Sequence, residues 1–288
     1  EHPLHQSDVY FQFCDKGNKP TTTIASPHSH LQTFPMPFSD YKIMFDKVME
    51  ACKKGEVKVV NLTVKTPIQA NMSDMDIFLL SNSMYQLYLP ERFVCFSPER
   101  FVRIANGRIS SNPMKGTIDA SLPNAEREVL DNPKELAEHT ATVQLIADEL
   151  MTVATNVRTE RFRYIDRLET NNKCLLQVSS EVVGELPSTY ISHLGDTLFK
   201  LLPAGSIAGS PRLAALKLIS RAEETPRGYY CGIAGYFDGT ELDTAVLIRL
   251  IERDGDQIYF RSGGGITMDS ICENEYQEVQ NKIYLPFL

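Results

Sequence analysis

Between residues 41 and 52 the apolar positions Tyr41, Met44, Phe45, Val48, Met49 and Cys52 recur at steps of three and four. This spacing predicts a helix of about 15 residues with one buried face. Ser39 or Asp40 is placed to cap it and Gly55 to end it. The period then changes. A Val- and Thr-rich run at 57–66 predicts a strand, and Ser73 offers a cap for a short helix through 76–84. Short β-prone runs follow at 93–96 and 101–104. Asn106-Gly107 marks a hairpin, because both turn positions need positive φ. A helix is predicted over 133–153, with Pro133 in its first turn and Glu135 and Glu138 toward its positive end. Strands are predicted at 157–165, 172–184 and 228–237, and a Leu- and Ala-rich helix from Pro211 to about Glu224. Asp254-Gly255 turns another hairpin into a strand that runs toward Gly263, Gly264 and Gly265, and a last helix covers 271–284. Hairpins with interspersed helices predict an α+β chain with mainly antiparallel sheets, rather than a doubly wound parallel fold. Residues 1–37 read as an irregular segment, and 38–288 as a single domain.

The chain has 288 residues, near the upper limit for one hydrophobic core. Its formal charge is 29 − 37 = −8, and no basic stripe appears, which argues against a nucleic-acid surface. No apolar run is long enough for a membrane-spanning helix, and no basic-then-apolar leader is visible, so a cytoplasmic enzyme or subunit is expected. The six cysteines are scattered, with no Cys-x-x-Cys pair, so free thiols are expected rather than zinc or disulfides.

Four stretches carry candidate chemistry: 97–101, 112–117, 202–212 and 261–266. Gly263, Gly264 and Gly265, read as a loop between strand and helix, could converge backbone N–H groups on an anion. Gly205 and Gly209 precede a helix start, another place that favours anions. Flexible loops explain both patterns equally simply, and neither is a P-loop. Lys115 is a surface charge on ordinary expectation; if buried it could become a neutral nucleophile. Glu138 and Glu278, on separate helices, could supply oxygen ligands to a hard cation. His193 reads either as a structural or as a functional imidazole.

Taken in order, SPERF at 97–101, PMKGT at 113–117, AEH at 137–139, GSIAGSPR at 205–212, GYYCGIAGYFDG at 228–239, GGGI at 263–266 and EYQEVQNK at 275–282 resemble the chorismate-utilising enzymes. These include the large subunits of anthranilate and aminodeoxychorismate synthases, with isochorismate synthases as cousins. The resemblance covers about 38–284. Within the family, lysine third in Pro113-Met114-Lys115-Gly116-Thr117 is similar to the aminodeoxychorismate synthases, where anthranilate synthases carry alanine.

The resemblance implies a four-layer αββα sandwich of two entwined lobes. It implies chorismate as substrate, Mg²⁺ held by Glu138 and Glu278, and a glutaminase partner subunit that supplies ammonia for folate biosynthesis. By the same likeness Lys115 is the covalent nucleophile, with its ammonium pKa lowered by partial burial and the nearby cation. Glu99 is the general acid and His193 orients the leaving hydroxyl. Tyr230, Arg249, Lys282, Ser206, Thr117 and the backbone at Gly263, Gly264 and Gly265 contact the substrate. A sibling reaction (isochorismate or anthranilate formation) and a non-catalytic chorismate-binding subunit are the alternatives. Three features depart from the family: residues 143–149 replace a usual VDLMRND, Arg212 replaces a lysine, and no tryptophan-binding N-terminal portion is seen.

Overall fold

The computed structural model describes residues 8–21, 30–169, 174–223 and 225–287. The chain forms two compact units. One comprises Glu1–Pro98, Ile207–Gly232 and Val246–Leu288; the other comprises Glu99–Ser206 and Ile233–Ala245. Each is organised around its own antiparallel sheet, so the fold is α+β.

The first unit's strands are β1 (Tyr10–Phe13), β2 (Lys16–Gly17), β3 (Leu31–Thr33), β4 (Val59–Ala70), β5 (Tyr85–Leu89), β6 (Phe93–Ser97), β12 (Gly209–Ser210), β15 (Leu250–Asp254) and β16 (Gln257–Thr267). Among the described residues the order is β12-β4-β16-β15-β6-β5-β1-β2, with β3 also on β4. The central ladder runs from Val59 opposite Thr267 to Ile68 opposite Ile258. The buried side chains of Val60, Leu62, Val64 and Ile68 fall on one face of β4 by its period of two, the first three in one hydrophobic cluster and Ile68 in another. Helices α1 (Phe38–Lys53), α7 (Arg212–Ala222) and α8 (Cys272–Asn281) cover the Val60–Val64 end. Helix α2 (Asp74–Leu80) covers the Ile68 end.

Helix α1 buries the expected face, from Tyr41 to Cys52. Its N-cap is Pro37, without a side-chain cap; Ser39 and Asp40 lie inside the first turn, where the Asp40 charge still suits the helix dipole. Helix α2 has a full capping box: the Ser73 hydroxyl accepts from the Asp76 N–H, and the Asp76 carboxylate accepts from the Ser73 N–H. The N-terminal segment is not irregular throughout, since β1 pairs with β5 and β3 with β4. Gly209 is a forced choice. Its φ is +131°, and a Cβ there would lie 2.2 Å from the Val59 carbonyl oxygen of the strand it pairs with.

The second unit's strands are β7 (Arg100–Ala105), β8 (Arg108–Ser111), β9 (Met114–Asp119), β10 (Thr155–Glu169), β11 (Cys174–Glu185), β13 (Ile233–Phe237) and β14 (Leu242–Val246). Among the described residues the order is β10-β11-β8-β7-β14-β13, with β9 also on β11. The Asn106-Gly107 turn joins β7 to β8 at φ 52° and 73°, as its sequence requires. Helices α3 (Ala125–Asp131) and α4 (Pro133–Leu150) pack on β9 and β11. The Asn132 side chain caps α4 by accepting the Lys134 and Glu135 N–H groups. The buried face of α4 is His139, Val143, Ile146, Ala147 and Leu150. A 3₁₀ turn at Tyr190–His193, α5 (Leu194–Leu201) and the single turn α6 (Gly205–Ala208) complete the elements. The strand expected at 228–237 begins only at Ile233, because residues 228–232 form turns closed by Tyr230 N–H to Arg227 O and Gly232 N–H to Tyr229 O.

Candidate active site

The three glycines are not a loop. Gly263, Gly264 and Gly265 lie inside β16, opposite Thr63, Leu62 and Asn61 of β4. A Cβ on Gly263 would lie 2.7 Å from the Leu62 carbonyl oxygen. One on Gly264 would face α8, 3.4 Å from a Glu275 carboxylate oxygen, 3.8 Å from Glu278 and 3.9 Å from Lys282 Nζ. Glycine therefore leaves a gap over the strand that charged side chains of α8 border. Those side chains are three and four residues apart, so they share a helix face. Lys282 Nζ donates to Glu278 at 2.6 Å and to the Gly263 carbonyl at 2.8 Å. Of the expected site residues, Gly263, Gly264, Glu278 and Lys282 are thus brought together.

Glu275 belongs to this group and was not foreseen. It accepts a hydrogen bond from the Ser270 hydroxyl at 2.7 Å. The available signal was its i, i+3 spacing with Glu278, repeated by Glu135 and Glu138 on α4. Glu135 likewise borders a glycine: a Cβ on Gly116 would lie 3.1 Å from its carboxylate oxygen.

In the same unit, Tyr230 is buried, and burial, followed by the neighbouring Cys231, raises its phenol pKa. Arg249 is half-buried with φ at 52°, the left-handed region that L-residues rarely occupy. Its Nε donates to the Tyr284 hydroxyl at 3.3 Å.

In the second unit, Lys115 lies on β9 and is exposed, so the burial expected of it is not observed. The reason is positional. Strand β9 lies off the main strand order, paired with β11, and its odd positions Lys115 and Thr117 point away from α3 and α4 toward solvent. The Thr117 hydroxyl donates to the Gln177 side-chain oxygen at 2.8 Å. Glu99 is half-buried and accepts from the exposed Ser206 hydroxyl at 3.3 Å, which pairs two expected site residues. Glu138 is ion-paired to Lys134 at 3.8 Å. His193 is exposed and contacts Asp196 at 3.3 Å. The Gly205 N–H expected to attract an external anion is already bonded, at 2.9 Å, to the Glu149 carboxylate of α4. The 143–149 stretch that departs from the family therefore has a structural use here.

His139 is fully buried. The Lys115 carbonyl beside Nδ1 can only accept, so in the neutral ring Nε2 accepts from the Ser180 hydroxyl at 2.7 Å, while Ser180 Oγ accepts the Arg163 N–H at 2.9 Å. Nδ1 then carries the ring proton and faces the Lys115 carbonyl oxygen at 3.4 Å. Burial lowers the imidazole pKa; the bond to Lys115 O opposes this, and the Arg163 and Lys115 charges add to the lowering. A neutral His139 thus ties α4, which carries Glu135 and Glu138, to the backbone of Lys115. The sequence held it in AEH, without assigning it a role.

Among the described residues no three His, Cys, Asp or Glu side chains gather to hold a metal ion. Mg²⁺ keeps several waters and needs only one or two carboxylates. The Glu275 and Glu278 oxygens beside Gly264 are donors of that kind.

Over residues 5–286 the chain matches the chorismate binding enzyme family, and it belongs to that family. It is a chorismate-utilising enzyme. It is 44% identical over 281 residues to an uncharacterized PabA-like protein of Haemophilus influenzae, covering 98% of this chain and 85% of that one. It is 33% identical to anthranilate synthase component 1 of Archaeoglobus fulgidus, over 83% of this chain and 60% of that protein. It is 28% identical to aminodeoxychorismate synthase component 1 of Bacillus subtilis, over 88% of this chain and 56% of that protein. The chain therefore spans somewhat over half the length of those two synthases. Anthranilate synthase component I of Streptococcus pneumoniae superposes with a TM-score of 0.73 at 25% identity, over 88% of this chain and 58% of that one. No helix among the described residues is long and apolar enough to cross a membrane.

Proposed function

We propose that the protein aminates chorismate at C4, giving 4-amino-4-deoxychorismate, as component I of an aminodeoxychorismate synthase. The observation that carries this reading is Lys115, a primary amine presented to solvent where anthranilate synthases resemble one another in carrying alanine. Its strand is held from behind by the His139 contact and by the Ser180 N–H to Pro113 O bond of 3.0 Å.

In this mechanism the neutral Lys115 amine adds to C2 while the C4–O bond breaks. Glu99, protonated, delivers a proton so that the hydroxyl leaves as water. The Ser206 hydroxyl holds the Glu99 carboxyl in place. The lysine nitrogen returns its extra proton to Glu99. Ammonia then attacks C4, the C2–N bond breaks, and the reprotonated nitrogen leaves as free Lys115. Two allylic displacements thus replace one direct substitution. Arg249, Lys282, Tyr230 and the Gly263, Gly264 and Gly265 backbone bind the substrate carboxylates, Ser206 and Thr117 add hydroxyl contacts, and His193 orients the leaving hydroxyl. Mg²⁺, which Glu138 and Glu278 would hold, with Glu275 next to Glu278 on its helix, would supply positive charge to a bound carboxylate. Ammonia comes from a glutaminase partner in the same compartment, the cytoplasm, and the product serves folate synthesis.

Anthranilate formation is the second reading, favoured by the 33% identity to the Archaeoglobus enzyme against 28% to the Bacillus one. Incubation with chorismate, Mg²⁺ and an ammonium salt decides between them. The expected product is 4-amino-4-deoxychorismate, and Lys115→Ala should lower its rate about 10³-fold with substrate binding retained. Anthranilate or isochorismate as main product, or an unaltered rate in Lys115→Ala, overturns the proposal.

A further inference from the structure

Strand β4 gives one edge to β16, opposite Gly263, Gly264 and Gly265. Its other edge takes β3 at Ile68, Gln69 and Ala70, and β12 at Val59 and Val60. The next groups, the Asn61 carbonyl and the Thr63 N–H, meet side chains instead of a strand. Arg227 Nη2 donates to Asn61 O at 2.6 Å, and the Thr63 N–H donates to Glu223 Oε1 at 2.9 Å. The two side chains are joined to each other by a two-point ion pair, with Nε to Oε2 at 2.9 Å and Nη2 to Oε1 at 2.6 Å. Their side chains are only 15% and 4% exposed. Arg227 Nη1 donates to the Ile207 carbonyl at 2.8 Å, which also receives the Asn61 side-chain amide at 3.1 Å. Arg227 accepts through its own carbonyl the N–H of Tyr230 at 3.0 Å.

We propose that Glu223 and Arg227 are positioning residues: together they stand in for a missing strand, fixing the β4 backbone that faces the three glycines and the turn that carries Tyr230. A buried ion pair is weak evidence for stability, since apolar side chains of similar volume often serve as well. Apolar side chains could not pair a sheet edge, which needs one donor and one acceptor at fixed spacing. Lysine could not replace Arg227, because the bonds to Glu223, Asn61 and Ile207 use the planar fork. Neither residue needs to touch substrate. The pair acts through Tyr230 and through Thr63, Leu62 and Asn61, whose ladder partners are the three glycines. The ligand named in this claim rests on the chorismate reading above; the positioning itself does not.

Arg227→Lys, Glu223→Ala and Glu223→Gln in the full chain test it, with three readouts: chorismate KM and kcat, melting temperature, and hydrogen exchange over 61–65 and 228–232. For Arg227→Lys and Glu223→Ala the expected result is a rise in KM of about tenfold with kcat within about threefold, and faster exchange in both stretches. Glu223→Gln keeps an acceptor for the Thr63 N–H but turns an amide N–H toward Arg227 Nε, so its KM should lie between those of the parent and Glu223→Ala. A purely stabilising role would lower the melting temperature and leave KM and local exchange at parent values; that result overturns the proposal. If Glu223→Ala fails to fold, Arg227→Lys decides by the same criteria. If the parent protein binds no chorismate, the chorismate reading fails, and exchange in Arg227→Lys still decides the positioning claim: faster over 61–65 and 228–232 supports it, unchanged overturns it.

Discussion

At the scale of single residues, the buried polar atoms tell most. Tyr41 is 0% exposed, and its hydroxyl has no hydrogen-bond partner among the described residues. A buried hydroxyl left unpaired costs about 1–3 kcal/mol, so Tyr41→Phe should be neutral or stabilising by up to about that amount. The pH dependence has a fixed sign. Burial first, then the charges of Glu275, Cys272 and Glu278, raise the Tyr41 phenol pKa in the folded state. The unfolded chain loses this proton near the ordinary tyrosine value of about 10. Stability from the neutral phenol is therefore complete below about pH 10 and is lost as pH rises beyond it. Urea melts at about pH 8 and about pH 10.5 should show a larger loss in the parent than in Tyr41→Phe. Tyr230, shifted in the same direction, adds a common slope to both proteins. Equal losses would refute the assignment to Tyr41. At this scale the sequence was informative about identity and poor about environment. Lys115, Glu138 and Glu278 stand out in their motifs as candidates, but the exposure of Lys115 follows from β9 lying off the main strand order, which only pairing reveals. Glu275 and His139 gave signals by spacing and by position beside Glu138, yet their partners, Ser270 and Ser180, lie on other elements.

At the scale of elements, period and turn chemistry located what local physics controls. Helix α1 has its face, α2 its Ser73 cap and the β7–β8 hairpin its Asn-Gly turn because each is decided within a few residues. The failures share one cause: the deciding contact is remote in sequence. Gly263, Gly264 and Gly265 look like a loop by composition, but the β4 ladder, with partners Thr63, Leu62 and Asn61 far earlier in the chain, keeps them in a strand. Strand β1 has only four residues, too few for alternation to register, and its partner β5 is more than seventy residues away. Its structural weight can be measured. Phe13 is 4% exposed and meets Tyr85 edge-on, with ring centroids 5.4 Å apart. Phe13→Ala should destabilise the protein by about 3–5 kcal/mol, as for other buried phenylalanines. Phe199, 78% exposed on α5, is the control, and Phe199→Ala should cost less than about 0.5 kcal/mol. Comparable denaturation midpoints for the two variants would mean that β1 is not part of the cooperative structure.

At the scale of the whole molecule, chain continuity and structural continuity disagree. Length and motif order led to the expectation of a single domain of two entwined lobes; the contacts divide the chain into two units, each assembled from more than one stretch of chain. No periodicity in the sequence encodes this, because it depends on which distant strands pair. The second unit shows the consequence. Its long stretch, Glu99–Ser206, contains β7 to β11, while β13 and β14 come from beyond an excursion of the chain. Strand β14 closes the free edge of β7, with Leu242 opposite Ile104 and Asp243 opposite Arg103. It also brings Asp243 into a two-point ion pair with Arg100, at 2.9 and 3.1 Å, and Thr244, whose hydroxyl accepts the Val102 N–H at 3.0 Å and donates to the Val102 carbonyl at 2.6 Å. A fragment of residues 99–206 alone would leave β7 with unpaired backbone groups and Arg100 without its carboxylate, an edge prone to association. Its melt should be broad and its solutions should aggregate. The same fragment joined through a flexible linker to residues 233–246 regains the edge strand, and should unfold cooperatively as a monomer, since closing a loop of modest length costs little entropy. Circular dichroism melts with sedimentation measurements on both fragments check this. A cooperative, monomeric 99–206 fragment would show that β14 is an accessory to this sheet, whereas rescue by the linked strand would show that the unit is completed by residues the chain supplies only after leaving it.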